Sequence, residues 1–395
     1  MRTAETPLAL VEERTGPGGL IRSQLDELGR ELDAIRQEVL DTRGERDAAY
    51  IRRLIRLQRN LEIGGRLLLL ASGNRKARVA GTTALALAKI LDNMEIGHNV
   101  LHGQWDWMRD PKIHSTTWEW DHASPPEQWQ RAHNQEHHRY TNIVGHDNDL
   151  GYGIMRIDEA QEWKPRYLVQ PLWNLVNACI FEWGIAMYDL DFGEHLREGK
   201  KMSPEKKAEA KTTLKRAAKQ AAKDYVVWPG LSGRNWRTTL AANAAASLTR
   251  NIWSHSIIMC GHFPEGVEVF EVDELDPTES RSDWYVRQML GSANISGSPV
   301  LHVLAGNLSH QIEHHLFPDL PSNRYAEIAP KVRAVFDKYG LNYCARPLGP
   351  QVYSAWHRVV RLSLPNDWAK ETRRDNLWTQ VKKLFRSQGR PALSA

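Results

Sequence analysis

Half of the 16 histidines fall into three short clusters: His98-Asn-Val-Leu-His102, His133-Asn-Gln-Glu-His137-His138 and His310-Gln-Ile-Glu-His314-His315. On a helix, positions i and i+4 share a face, so each such pair can hold one metal ion between two imidazoles. The neighbouring third histidine, turned by about 100°, reaches toward a second ion beside the first. Eight imidazoles exceed the four ligands of one zinc, so two metal ions fit better than one. Imidazole suits zinc, copper, iron and nickel alike and does not choose among them. A carboxylate-bridged bundle built on Glu-x-x-His is a weaker account: Glu95 to His98 and Glu119 to His122 match that spacing, but the repeated His-x-x-x-His-His pattern stays unexplained. No His-Glu-x-x-His occurs, which removes the usual zinc hydrolase motif. The lone residues His114, His122, His146, His195, His302 and His357 read as surface or satisfied core groups.

These clusters need rigid elements to hold them. Leu25, Leu28, Leu32, Ile35 and Val39 recur at three- and four-residue steps, the stripe of an amphipathic helix. The charge-rich segment Asp41 to Asp47 is expected to turn it back as a helical hairpin. Four semi-apolar stretches follow, Leu67–Leu91, Tyr167–Tyr188, Thr238–Phe263 and Ile295–Leu308, each broken by polar residues. None supplies the roughly 18 to 20 uncharged apolar residues of a simple membrane span. They read either as membrane helices with polar residues turned inward or as buried helices of a bundle. Arg197 to Lys223 carries ten Lys/Arg and three Glu on an Ala-rich background, and reads as a solvated helix face, a lipid-facing patch or a dock for an acidic electron carrier.

Composition excludes several classes. In 395 residues, 52 Lys+Arg against 48 Asp+Glu leave a net charge of +4, too small to indicate nucleic acid. The three cysteines, Cys179, Cys260 and Cys344, stand far apart and form neither a disulfide framework nor an iron–sulfur motif. Met1 to Gly19 lacks the apolar run of a signal peptide, and a reducing compartment is expected.

The three boxes, the continuation Leu316-Phe-Pro-Asp-Leu-Pro-Ser-Asn-Arg324, and the segments Asn93-Met-Glu-Ile-Gly-His98, His102-Gly-Gln-Trp-Asp-Trp107 and Cys260-Gly-His-Phe-Pro264 resemble the membrane fatty acid desaturases, most closely their bacterial acyl-CoA or acyl-lipid branch. The resemblance implies an all-α bundle of about four transmembrane helices with a cytosolic helical cap carrying the boxes, in the bacterial inner membrane. It divides the chain into a disordered start (1–21), a cytosolic helical hairpin (22–66), the desaturase domain (67–364) and a polar tail (365–395).

It further implies two iron ions, cycling between Fe2+ and Fe3+, with O2 as co-substrate. Their ligands would be His98, His102, His133, His137, His138, His314 and His315. His310 is favoured over Gln311 just before the third pair, because imidazole binds iron better than an amide. His262 is favoured over His255 as a further ligand. Asn251, Glu136, Glu313, Asp147 and Asp149 are candidates for orienting the imidazoles.

Removing hydrogen from an unactivated methylene is beyond any amino-acid side chain, so metal-activated dioxygen must carry it. The expected reaction places a cis double bond in an acyl-CoA or acyl-lipid chain held in an apolar tunnel, with Trp107 and Trp120 among candidate wall residues. A hydroxylase or ketolase acting on lipid, alkane or carotenoid is the alternative. The chain has no flavin, nicotinamide or haem motif, so a ferredoxin-type donor with its reductase is the expected electron source. Membrane lipid is the other expected partner.

Overall fold

The computed structural model describes residues 16–147, 149, 151–188, 190, 202–271 and 279–366. The first fifteen residues, most of the polar tail, His195 and the first five residues of the basic segment 197–223 lie outside the described residues. Among the described residues the chain is mostly helical, and its two strands, β1 (Asn294–Ser296) and β2 (Ala345–Pro347), pair in parallel with Asn294 opposite Ala345.

Helix α1 (Arg22–Thr42) buries the stripe its periodicity predicts: Leu25, Leu28, Leu32, Ile35 and Val39. Helix α2 (Glu45–Leu70) follows after a short break, closed by a hydrogen bond from the Gly44 amide to Asp47. The expected hairpin partner is not the main one. The α1 stripe packs against two later helices, Arg281–Leu290 and Tyr325–Tyr339, around Val286, Ile328, Val332 and Phe336. Helix α2 instead pairs with α3 (Arg75–Leu91). Their backbones approach closely at Gly65 and Gly81, where a Cβ on either residue would come within about 3.1 Å of the partner's backbone. Only glycine fits there without pushing the helices apart.

Helix α3 runs on through a π-helical turn, Asp92–His98. Helix α4 (Pro126–Gln130) likewise leads into a π turn, Arg131–His137. Short helices α5 (Gln170–Cys179) and α6 (Phe181–Tyr188) precede the basic α7 (Pro204–Ala222) and the long α8 (Trp236–His262). Helix α9 (Arg281–Leu290), α10 (Gln311–Leu316), α11 (Tyr325–Tyr339) and α12 (Leu348–Leu362) complete the set used below.

The implied transmembrane helices, and with them an integral membrane location, are not found: among the described residues no helix is long and apolar enough to cross a membrane. The stretch Leu67–Leu91 is broken at 71–74 between α2 and α3, and the 17 residues of α3 rise only about 26 Å. Tyr167–Tyr188 is divided between helices of ten and eight residues. Ile295–Leu308 holds β1 and a six-residue helix. The 27 residues of α8 are long enough but carry Arg237, Asn243, Arg250 and Asn251, the last three of them buried. Glu182 and Arg250, which interrupt two of these stretches, pair with each other inside the fold, whereas Asn74, Arg75 and Lys76 of the first stretch are exposed.

One network ties α2, α3, α7 and α8 together. Asp224, just beyond α7, sits 2.5 Å from Arg66 and 2.7 Å from Lys89, and its carbonyl accepts from Asn243. All three charged side chains are buried. Against the burial that would raise it, Lys89 and Arg66 hold the Asp224 carboxyl below its usual range. Asp224→Asn would leave two cations facing a neutral amide, and is expected to cost about 3–5 kcal/mol in urea unfolding. Lys331→Ala, which removes only the exposed pair with Glu38, should stay within about 1 kcal/mol.

Candidate metal centre

Both π turns carry histidine boxes. In the second box the regular i, i+4 geometry is altered, the His138 amide bonding to the His133 carbonyl five residues back, whereas in the first the His102 amide keeps the bond to the His98 carbonyl four residues back. Widened turns of this kind recur at functional sites because they re-aim side chains that a regular helix would splay. His98 ends the π turn after α3 and His102 follows it by one regular turn, His133 and His137 lie in the π turn after α4 with His138 just past its end, His262 is the last residue of α8, and His314 and His315 come from α10.

These eight rings converge. Ligand atoms of His98, His102, His133 and His314 all lie within 4.8 Å of one another, and so do those of His137, His262 and His315. His138 lies between the groups, stacked on His315 at 4.4 Å between centroids and 4.7 Å from His102. A further group, His133, His137 and Asp149, overlaps both.

The outer nitrogens of four rings are held by the scaffold, whereas both nitrogens of His138 are without a hydrogen-bond partner among the described residues. His137 Nδ1 lies 2.9 Å from Asp147, His133 Nδ1 3.2 Å from Asp149, His315 Nδ1 3.0 Å from Gln288 and 3.2 Å from Thr141, and His314 Nδ1 3.3 Å from the Tyr325 hydroxyl. The Nε2 atoms face inward. Those of His98 and His314 stand 3.2 Å apart, and those of His102, His133, His138 and His315 are buried without a hydrogen-bond partner among the described residues. Burial, reinforced by neighbouring rings, holds His98, His102, His133, His138, His314 and His315 well below the ordinary histidine range. They are therefore neutral near pH 7. His137 differs: burial lowers it, but Asp147 and Asp149 raise it further, to about 9. Buried nitrogens without partners are costly, and a cation would satisfy several at once. Nδ1 engaged outward with Nε2 inward is the arrangement of metal-bound histidine.

Four candidate residues lie elsewhere. His310 is outside the groups: its ring packs on His302 at 4.5 Å, while Gln311 Nε2 lies 3.0 Å from His262 Nε2. The short 3-10 turn Leu308–His310 ends before α10 begins, so His310 does not share the face of His314. His255, one turn or more back on α8, bonds to Asn174. Asn251 bonds to the Cys179 carbonyl and the Arg250 guanidinium. Glu313 also points away, toward Asn294 and Tyr343. Asp147 and Asp149 are at the rings. Gln288 reaches His315 across 27 residues, and Thr141, though only three residues past the second box, reaches the same ring across 174; Tyr325, which faces His314, stands 11 residues beyond it. The Glu-x-x-His alternative fails on geometry: Glu95 takes hydrogen bonds from Tyr50, Ser322 and Asn307, and Glu119 pairs with Arg216.

A cavity opens against the cluster. Its lining combines apolar Met94, Trp120, Trp129, Phe181, Ile185 and Ile258 with His98, His133, His137 and His262 and with the charged Asp149, Glu182 and Arg250. Trp107 is not part of it; its indole donates to the Gln104 carbonyl.

This chain belongs to the fatty acid desaturase family: residues 77–347 match the family profile described as Fatty acid desaturase. It is a desaturase and so an oxidoreductase. It is 46% identical over 374 residues to the NADPH-dependent stearoyl-CoA 9-desaturase of Mycobacterium tuberculosis, covering 94% of this chain and 87% of that protein. The sn-1 linoleoyl-lipid 6-desaturase of Synechocystis is 26% identical over 278 residues, covering 68% of this chain and 76% of that one.

Two outcomes follow. Asp147→Asn should weaken metal binding roughly 10- to 100-fold, read by chelator competition. In the metal-free protein the unfolded chain takes up protons on His98, His102, His133, His138, His314 and His315 below about pH 6.5 while the folded chain resists. Stability should therefore fall as pH drops from 7 to 5, seen as a falling melting temperature, and added metal should oppose the loss.

Proposed function

We propose that this desaturase places a cis double bond in a saturated fatty acyl chain carried by coenzyme A, with two iron ions held by the histidine cluster. His98, His102, His133 and His314 would hold one and His137, His262 and His315 the other, with His138 between them. The observation that carries this reading is the set of inward, buried Nε2 atoms without partners, drawn from all three boxes. A coenzyme A ester is favoured over an acyl-lipid by the stearoyl-CoA in the name of the mycobacterial relative, the more similar of the two described.

Iron bound there supplies the activation of O2 that side chains cannot. The protein's own groups do the rest. Asp147, Asp149, Gln288 and Tyr325 fix ring orientation, so the donors need no reorganisation during the reaction. The apolar cavity wall excludes water and sets which pair of methylenes faces the cluster, which is how position along a uniform chain is chosen. In the overall reaction two C–H bonds break and one C=C bond forms. The two electrons from those bonds, two from a donor, and two further protons reduce O2 to two waters. With no nicotinamide fingerprint in the chain, those two electrons arrive through a separate ferredoxin-type carrier and its reductase.

Expression in a host with a simple lipid profile tests the reading. Gas chromatography with mass spectrometry should show an 18-carbon product two mass units below stearate with its double bond at carbon 9. A shift of plus sixteen would identify a hydroxylase instead. His137→Ala and His314→Ala should each remove the product altogether.

A further inference from the structure

Helix α7 has two differently employed faces. Its inner face is fastened to the segment leading into the second histidine box. Thr213 bonds to Gln128, Gln220 to the Asp121 carbonyl, and Arg216 to Glu119 and to the carbonyl of Trp120. Its outer face presents Lys207, Lys211, Lys215 and Lys219, all exposed, with Leu214 70% exposed among them. None of these four lysines forms an ion pair among the described residues. Four-residue spacing puts them in one row about 18 Å long. Like charges at that spacing repel along a helix, so the row costs stability and calls for a partner of opposite charge.

On the inner side of α7, across the helix from the lysine row, aromatic contacts run from Trp120 to the metal centre. Trp120, whose carbonyl Arg216 holds, meets Trp129 at 5.4 Å between ring centroids. Trp129 stacks on His133 at 4.5 Å and meets His98 at 5.1 Å. We propose that the lysine row is the docking face for a small acidic electron-carrier protein, and that Trp120 and Trp129 link that face to the histidine cluster. This rests on the desaturase reading, which requires two electrons from outside per double bond. Each carrier molecule is oxidised by one electron, and two such deliveries complete the four-electron reduction of O2 with the pair removed from the acyl chain. An anionic lipid surface would also meet the charge. It would have no use for an aromatic link to the imidazoles, and that continuity favours the carrier. A row of this length with one apolar residue suits the small, transient interfaces of electron-transfer complexes.

The test compares the iron-loaded protein with its K207E/K211E/K215E/K219E variant. The probe is an acidic [2Fe–2S] ferredoxin kept reduced by NADPH and its reductase. Ferredoxin association should slow roughly 10- to 1000-fold at low salt in the variant, and its salt dependence should be lost. Turnover driven by photoreduced deazariboflavin, which needs no docking, should be unchanged. Ferredoxin association with the same rate and salt slope in both proteins would overturn the proposal. So would a variant that keeps ferredoxin binding but loses binding to phosphatidylglycerol vesicles. Trp120→Leu should keep ferredoxin affinity and lose fast reduction of the metal centre by bound ferredoxin; equal reduction rates would overturn the aromatic link. If the wild-type protein makes no unsaturated product with deazariboflavin, the desaturase reading has failed, and the binding arm still decides the docking face.

Discussion

Seven neutral imidazoles packed around a common interior, with His137 held by Asp147 beside them, form an arrangement that a folded chain does not adopt for its own stability. Each buried nitrogen without a partner carries a desolvation cost, and several share one small volume. A bound cation changes the sign of that cost, because each lone pair gains a strong partner. Much of the surrounding structure is explicable as the means of holding this cluster together until a metal arrives.

The means are mainly polar. Glu95, buried one turn before His98, takes hydrogen bonds from Tyr50 on α2, from Asn307 and from Ser322, so it fastens the first box to the segments on both sides of the third. Burial pushes its carboxyl up to about 8 despite these donors. Gln104 bonds to Asn99, to the Pro318 carbonyl and to Tyr325, whose hydroxyl faces His314. Arg324 reaches Asp47 and Glu327, joining the start of α11 to the start of α2. Such networks are costly when half satisfied and specific when complete, which suits a site whose rings must not drift. The same logic explains the polar residues of α8: Arg250 pairs with Glu182 inside the fold, and Asn93 and Asn251 take its remaining donors.

The parts legible in the sequence were those with a local signature. The α1 stripe is periodic, and burial follows that period at all five predicted apolar positions. The histidine boxes repeat at short spacing, and Asp147 and Asp149 stand within about a dozen residues of the second. What depended on long-range packing was not legible. Whether His310 or Gln311 faces the cluster turns on where a 3-10 turn gives way to α10, a matter of one residue. The π turns need an interior that rewards a widened helix, and nothing in box spacing announces them. The pairing of α2 with α3 rather than α1 rests on two glycines sixteen residues apart meeting across a helix interface. The membrane spans implied by resemblance failed because the helices here are short or interrupted, and their buried charged residues found partners inside the protein.

The measurement that bears most directly on the paired-ion centre is an iron titration of the pure metal-free protein, followed by elemental analysis and X-ray absorption at the iron edge. The account requires two ions per chain at full activity, each surrounded mainly by imidazole nitrogen, with His314→Ala retaining fewer than two. One ion per chain at full activity, or a first coordination sphere dominated by oxygen, would contradict it.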